Sequence, residues 1–270
     1  LWGDKGDRGL FKTVDGGQTW QKLGNGLPAG RKAGATDIVM DPSNPNVLYV
    51  AFYQRLRQAH RFDSGGPDSG VFKSTDGGRT WRRLTKGLPG GDLGRIGLAI
   101  SRRNPRVLMA LVEASFQPDE KDPAFADMTK LGSGVYRSED GGETWRFLNR
   151  HSSRPFFFSQ VRINPTNDQH VYVLDINFWQ SSDGGRTLER GARNFGYDYH
   201  AMWLDPNQHD RYYLGGDKGL FVTQDHGRAF HYFDNLPVTQ YYAIGVDMRD
   251  PYAVYGGTQD NGTWGTFSFT

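Results

Sequence analysis

The chain has 270 residues and a formal net charge of +2, from 32 basic and 30 acidic side chains; this balance lacks the basic stripe that nucleic acid requires, so no nucleic-acid partner is expected. It contains no cysteine, which excludes disulfides and thiol chemistry, and no apolar run approaches the roughly 18 residues of a membrane span. Thirty-six glycines and 14% aromatic residues point instead to many tight turns joining strands that pack aromatic rings.

No secretory leader is visible, and the chain starts Leu1-Trp2-Gly3-Asp4 without an initiator methionine. A mature form, or a piece of something longer, is expected. The opening LWGDKGDRGLF resembles YLGGDKGLF at Tyr213–Phe221. Next comes the first of a series of near copies, TVDGGQTW (Thr13–Trp20). It recurs as STDGGRTW (Ser74–Trp81) and SEDGGETW (Ser138–Trp145), then as SSDGGRTL (Ser181–Leu188) and TQDHGRAF (Thr223–Phe230). The aspartates of these boxes, Asp15, Asp76, Asp140, Asp183 and Asp225, lie 61, 64, 43 and 42 residues apart. The shorter spacings match one four-stranded propeller blade, about 40–50 residues, and the longer ones imply insertions of about 20 residues.

A second repeated element separates the boxes. IVMDPSNPNVLYVAF from Ile38, LAISRRNPRVLMALV from Leu98 and VRINPTNDQHVYVLD from Val161 are alike, as are MWLDPNQHDRYYLGG from Met202 and VDMRDPYAVYGG from Val246. Each is a β-rich run, a Pro/Asn/Asp turn and a second β-rich run, which reads as a hairpin. One unit is therefore four strands. A and B form that hairpin, C begins at Gly70, Gly134 or Gly219, and D follows the box. Helical periodicity is absent, so almost no helix is expected. The predicted fold is all-β: a propeller of four-stranded antiparallel blades over 1–270, with insertions at 54–68 and 113–133. Five A–B hairpins, five boxed C–D hairpins and one extra strand favour part of a larger propeller; a closed five-bladed ring is the alternative.

Asp-Gly-Gly between two strands is a turn signal, because the carboxylate accepts backbone N–H groups one or two residues on and glycine tolerates positive φ. The tryptophans that follow, Trp20, Trp81 and Trp145, are placed to cover the turn. A calcium loop needs several oxygen donors at alternate positions, whereas each box offers one aspartate and two glycines. The boxes are read as structural, with no metal and no cofactor. This motif, S-x-D-x-G-x-T-W, resembles the Asp-box or BNR repeat found in sialidases, xyloglucan-active hydrolases, sortilin-type receptors and photosystem II assembly factors. The tail, from Asn235-Leu236-Pro237 through Tyr255-Gly256-Gly257-Thr258-Gln259-Asp260-Asn261-Gly262, is most similar to large bacterial sortilin-like or "glycosyl hydrolase BNR repeat" proteins. That resemblance implies a propeller and an extracytoplasmic, periplasmic or secreted setting. It implies no particular activity, since fold does not fix function.

Strand order places the A–B turns and boxes at one end of the blades and the B–C and D–A loops at the other. Both insertions fall in B–C loops, so the second end is the expected binding surface. Trp179, Tyr197, Tyr199, His200, Tyr241, Tyr242 and Trp264 are its candidate contacts for a sugar ring or a protein partner. Filling space between blades is the plainer role for any of these rings. Asp198 and Asp260 are the best-placed acids for glycoside hydrolysis, ahead of Glu113, Asp119, Glu120 and Asp122. Asp260 also suits a turn cap, and the insertion acids a solvated loop. His151 and His200 share this end, yet no spacing of His, Asp and Glu points to a metal centre. The Phe-Arg-Ile-Pro motif of sialidases is absent, as are a phosphate loop and a nucleophile elbow. The reading is a non-catalytic scaffold that binds a protein or a polysaccharide, without a membrane span of its own, as a subunit of an extracytoplasmic or membrane-associated complex. The alternative is a glycoside hydrolase acting on a β-glucan or xyloglucan-type polysaccharide.

Overall fold

A computed structural model describes residues 8–30, 32–192, 195–236 and 239–268; residues 1–7 of the opening repeat and Pro237 of the tail lie outside the described residues. Among the described residues, regular structure is strand apart from the 3-10 turn Pro123–Phe125. No helix among the described residues is long and apolar enough to cross a membrane. The chain divides into two compact units, Leu1–Gly191 and Ala192–Thr270.

The first unit opens with a hairpin of β1 (Leu10–Lys12) and β2 (Gln21–Leu23) around the first box. Three antiparallel meanders follow. The first is β3 (Ala33–Met40), β4 (Leu48–Gln58), β6 (Gly70–Ser74) and β7 (Arg82–Leu84), with β5 (Arg61–Ser64) paired to the far end of β4. The second is β8 (Leu93–Ile100), β9 (Leu108–Ala114), β10 (Gly134–Ser138) and β11 (Arg146–Asn149). The third is β12 (Gln160–Ile163), β13 (Val171–Leu174), β14 (Phe178–Ser181) and β15 (Glu189–Gly191). The insertion at 54–68 is thus a β-hairpin that lengthens its sheet. That at 113–133 is irregular, folded round the Arg150 guanidinium, which donates to the carbonyls of Phe125, Asp127 and Lys130.

In the three meanders, β4 over Leu48–Tyr53, β9 and β13 are apolar at nearly every position because both their faces are covered. In β4, Val50 and Phe52 pack with Leu10, Leu23 and Leu27, whereas Tyr49 and Ala51 point the other way, toward Leu98, Ala110 and Val112. In β9, Met109 and Leu111 turn to Val161, Ile163, Val171 and Val173. Period-2 alternation therefore feeds two seams from one strand. Each large side chain so buried contributes about 1.5–3 kcal/mol.

Polar latches cross the same seams. The residue before the box serine or threonine is basic in three copies. Lys12 Nζ donates to the Gly77 carbonyl (2.8 Å), Lys73 Nζ to the Gly141 carbonyl (2.6 Å), and Arg137 Nη1 to the Asp168 carbonyl (2.9 Å). Tyr49 adds its hydroxyl to Gly141 (2.8 Å), and burial holds that phenol protonated by raising its pKa to about 12. In return, the Trp81 and Trp145 backbone N–H groups donate to Asn25 and Lys86 (2.9 Å each). At Gly87 (φ +83°) a Cβ would lie 1.9 Å from the Trp145 carbonyl oxygen, so the approach requires glycine.

The second unit holds a fourth meander, β16 (Tyr199–Leu204), β17 (Tyr212–Gly216), β18 (Gly219–Thr223) and β19 (His231–Tyr232). After it comes the three-stranded sheet β20 (Tyr241–Val246), β21 (Ala253–Thr258) and β22 (Thr263–Phe267). β22 fills the place beside β21 that the five-bladed alternative would give to Leu10–Lys12, and β1 pairs with β2 alone among the described strands.

Candidate functional site

The five boxes share one bonding scheme. In Ser74–Trp81, the Ser74 hydroxyl donates to Asp76 Oδ1 (2.8 Å) and accepts from the Gly78 N–H (2.9 Å). Asp76 accepts the Arg79 and Thr80 N–H groups (2.9 Å each) and the Thr80 hydroxyl (2.6 Å). The aspartate thus binds residues three and four positions on, not one or two. The serine, which the sequence reading left without a role, binds the glycine. In the first four boxes both carboxylate oxygens are thereby engaged by the box itself; in the fifth, where Ala229 replaces the threonine, the donors Thr223, Arg228 and Ala229 all meet Asp225 Oδ1. Hydrogen bonds from Thr80 and Ser74 hold the Asp76 carboxyl well below the usual carboxylate range. Burial alone would raise Asp140 and Asp183, but donors led by Thr144 and Thr187 outweigh it and set both at about 2.

At the loop end of the first unit, the candidate residues are already engaged. Trp179 Nε1 donates to both oxygens of buried Asp175 (3.1 Å each), His151 Nε2 lies 2.7 Å from Asp175 Oδ2, and the two rings meet edge-on. Glu113 accepts the Ser64 hydroxyl and the Arg95 N–H (2.8 Å each). Asp122 caps the 3-10 turn through the Ala124 N–H, and Asp119 accepts the Lys121 N–H.

The second unit gathers the others. Asp198 and Asp260 sit at positive φ (51° and 56°). With Asp217, which the sequence reading passed over, they bring carboxylate oxygens within 4.8 Å of one another. Gln259 Nε2 donates to Asp217 Oδ2 (3.3 Å), Asn261 Nδ2 to the Asp217 carbonyl (2.8 Å), and the Tyr197 hydroxyl to the Asp260 carbonyl (2.5 Å). His200 Nε2 stands 3.4 Å from Asp217 Oδ1. Burial first, then its hydrogen bond with Asp260 and the charge of Asp198, push the Asp217 carboxyl upward; His200 opposes them. Asp217 therefore keeps its proton to higher pH than an ordinary aspartate.

His200 and Tyr242 occupy equivalent places. Each is the extra residue of a β-bulge near the start of its A strand, between the pairs Tyr199–Gly216 and Ala201–Gly215 and between Tyr241–Thr258 and Ala243–Gly257. Bulges re-aim side chains, and Tyr242 is 74% exposed. Beside the carboxylates is a cavity of about 620 Å³ whose wall includes Tyr232, Tyr241, Tyr255, Trp264, Asp217 and Asn261. The Trp264 indole is fixed by its bond to the Asn261 carbonyl (2.9 Å) yet remains 60% exposed. Tyr199, by contrast, is 1% exposed and belongs to the core. The structure therefore joins Tyr197, Asp198, His200, Tyr241, Asp260 and Trp264 in one region, and leaves Trp179 and Tyr199 packed within their own sheets.

No protein-family model matches the chain. It is 25% identical over 207 residues to a sialidase of Bacteroides fragilis, a stretch covering 67% of this chain and 35% of that protein. Among solved structures it superposes on an ancestral GH74 enzyme with a TM-score of 0.58 and 16% identity, over 98% of this chain and 35% of the other. The GH74 xyloglucanase of Xanthomonas campestris gives a TM-score of 0.52 and 16% identity, over 88% of this chain and 34% of the other. The chain spans about a third of the length of each of these relatives. Such likenesses define the class: a protein of four-stranded β-propeller blades. They reach no further than the fold.

Proposed function

We propose that this chain is a glycan-binding propeller segment that takes sugar rings in the Tyr232–Tyr241–Tyr255–Trp264 cavity and does not cleave them. The observation that carries this reading is the cavity itself, whose half-exposed rings stand beside a carboxylate and an amide. Sugar C–H faces stack on such rings, and hydroxyls bond to such polar groups. Its volume of about 620 Å³ falls in the ordinary range for small-ligand sites, roughly 300–1,000 Å³. Hydrolysis is not part of this reading, because Asp217, the acid of that wall, is already bonded by Gln259 and faced by His200. The setting is extracytoplasmic, as the Asp-box resemblance implies.

One observation favours a protein partner as the second reading. Tyr242, Val246 and Met248 leave a run of apolar side chains exposed along and beyond β20. Calorimetric titration with xyloglucan oligosaccharides and sialylated glycans, with W264A and Y241A as controls, tests the first reading. Binding that both substitutions abolish, without new reducing ends, upholds it. New reducing ends that vanish in D217N would replace it with the hydrolase.

A further inference from the structure

In each complete blade the second residue after the box serine or threonine is the aspartate, and the third donates its backbone N–H to the turn between strands A and B. Gly77 donates to Asn46 (3.0 Å), Gly141 to Arg106 (2.9 Å) and Gly184 to Gln169 (2.8 Å). In the fourth blade the donor is His226, bonded to the Asp210 carbonyl (3.0 Å). The glycines at this position have φ between +73° and +77°, and His226 adopts +63° in the same left-handed region, which a residue with a Cβ occupies at a cost. The acceptor differs in parallel. Where other blades place Pro45, Pro105 or Asp168 before the acceptor, this one has His209.

The constant stitch between box and turn thus delivers two imidazoles and a carboxylate to one point. His226 Nε2 is 3.1 Å and His209 Nε2 3.7 Å from Asp210 Oδ1, and all three ligand atoms lie within 4.8 Å. Ligands at about 2.0–2.2 Å from a tetrahedral ion are about 3.3–3.6 Å apart, and the two measured separations bracket that edge. We propose that His209, Asp210 and His226 form a surface site for a borderline divalent transition metal such as Zn²⁺, with the fourth position open to water or a second ligand. Two imidazoles with one carboxylate select Zn²⁺, Ni²⁺ or Cu²⁺ over Mg²⁺ and Ca²⁺, which prefer all-oxygen sets. The site lies at the box end of the blade, at the opposite end of β17 from the Asp217 region. It needs neither the cavity nor any glycan.

Calorimetric titration of the whole chain with zinc chloride at neutral pH, and with magnesium chloride as the contrast, tests the proposal. H226G restores the residue the other boxes carry, so the turn is kept while a ligand is removed. H209N removes the other imidazole from a different loop, should either variant fold poorly. The expected result is about one equivalent of zinc, no magnesium, and an affinity reduced by at least about tenfold to a hundredfold in each variant, the loss that removing even an outer-shell partner of a metal typically causes. Zinc affinity unchanged in both variants overturns the proposal, because another of the seven histidines would then be responsible. No zinc uptake at millimolar concentration by the unmodified chain overturns it as well.

Discussion

The second box, Ser74–Trp81, and the fifth, Thr223–Phe230, fold into the same turn from different inventories. The second has serine, threonine, two glycines and tryptophan; the fifth has replaced the threonine by Ala229, one glycine by His226 and the tryptophan by Phe230. Yet Asp225 still accepts the Arg228 and Ala229 N–H groups (3.0 Å each), and Thr223 still binds the Gly227 N–H (2.9 Å). The aspartate and hydroxyl acting on backbone donors are therefore sufficient for the turn. The glycine, threonine and tryptophan serve other ends: relief of strain, a further bond to the carboxylate, and cover for the neighbouring sheet.

That division can be broken most severely at the neighbour's side. G87A sets a Cβ 1.9 Å from the Trp145 carbonyl and is expected to leave little folded first unit at 25 °C, as seen by near-ultraviolet circular dichroism. G16A, with nothing within 4 Å, carries only the left-handed strain of about 1–2 kcal/mol. Next in size, W81A is expected to cost about 3–5 kcal/mol in urea unfolding, the usual penalty for emptying a buried tryptophan. W20A removes the same residue from a box where it is 60% exposed rather than 6%, and should stay within about 0.5 kcal/mol of the parent. Equal losses would mean that the indole serves its own turn and not the seam.

Acid gives a smaller, graded test. Asp140 and Asp183 have folded pKa values of about 2 against an ordinary 3.8, so their ionised forms stabilise the fold. That contribution is complete above about pH 4 and fades as pH falls toward 2. Asp217 has the opposite sign: its raised pKa means that ionisation opposes folding, so D217N should unfold later than the parent near neutral pH while losing glycan. The smallest expected effect is repair of the fifth box. H226G with A229T removes one strained residue and adds one hydroxyl, and should raise its melting midpoint by a few degrees at most.

Much of this architecture was legible before any coordinates. The box spacing gave the blade, and the hairpin copies gave strands A and B with their turns at one end. Tyr241 and Trp264 lie near the starts of β20 and β22, the end that strand order assigns to the B–C and D–A loops. Other features were hidden by chemistry that a motif does not display. Asp217 sits in a Gly-Asp-Lys-Gly turn that looks like simple punctuation, and only the fold brings it to Asp198 and Asp260. His209 and His226 are separated by a complete hairpin, so no local spacing reveals them; the sole trace was histidine standing where four other boxes have glycine. Tyr199 and Trp179 take instead the space-filling role that the sequence also allows. An aromatic at a strand terminus looks the same in sequence whether it faces solvent or, like Tyr199, fills a core.

The latches between blades have a polarity. Lys12, Lys73 and Arg137 all reach forward to carbonyls of the next unit, and the N–H groups of Trp81 and Trp145 reach back. The first two seams of the first unit consequently each have a leading and a trailing face made of the same parts. Blades built to that rule are interchangeable in order but not in orientation. Duplication or exchange of a whole unit leaves each new boundary with its donors matched, whereas a single unit turned about would set cation against cation and carbonyl against carbonyl. A chain of this kind can lengthen by copying without inventing a new interface, which accounts for five boxes that remain recognisable while their spacing and loops have diverged.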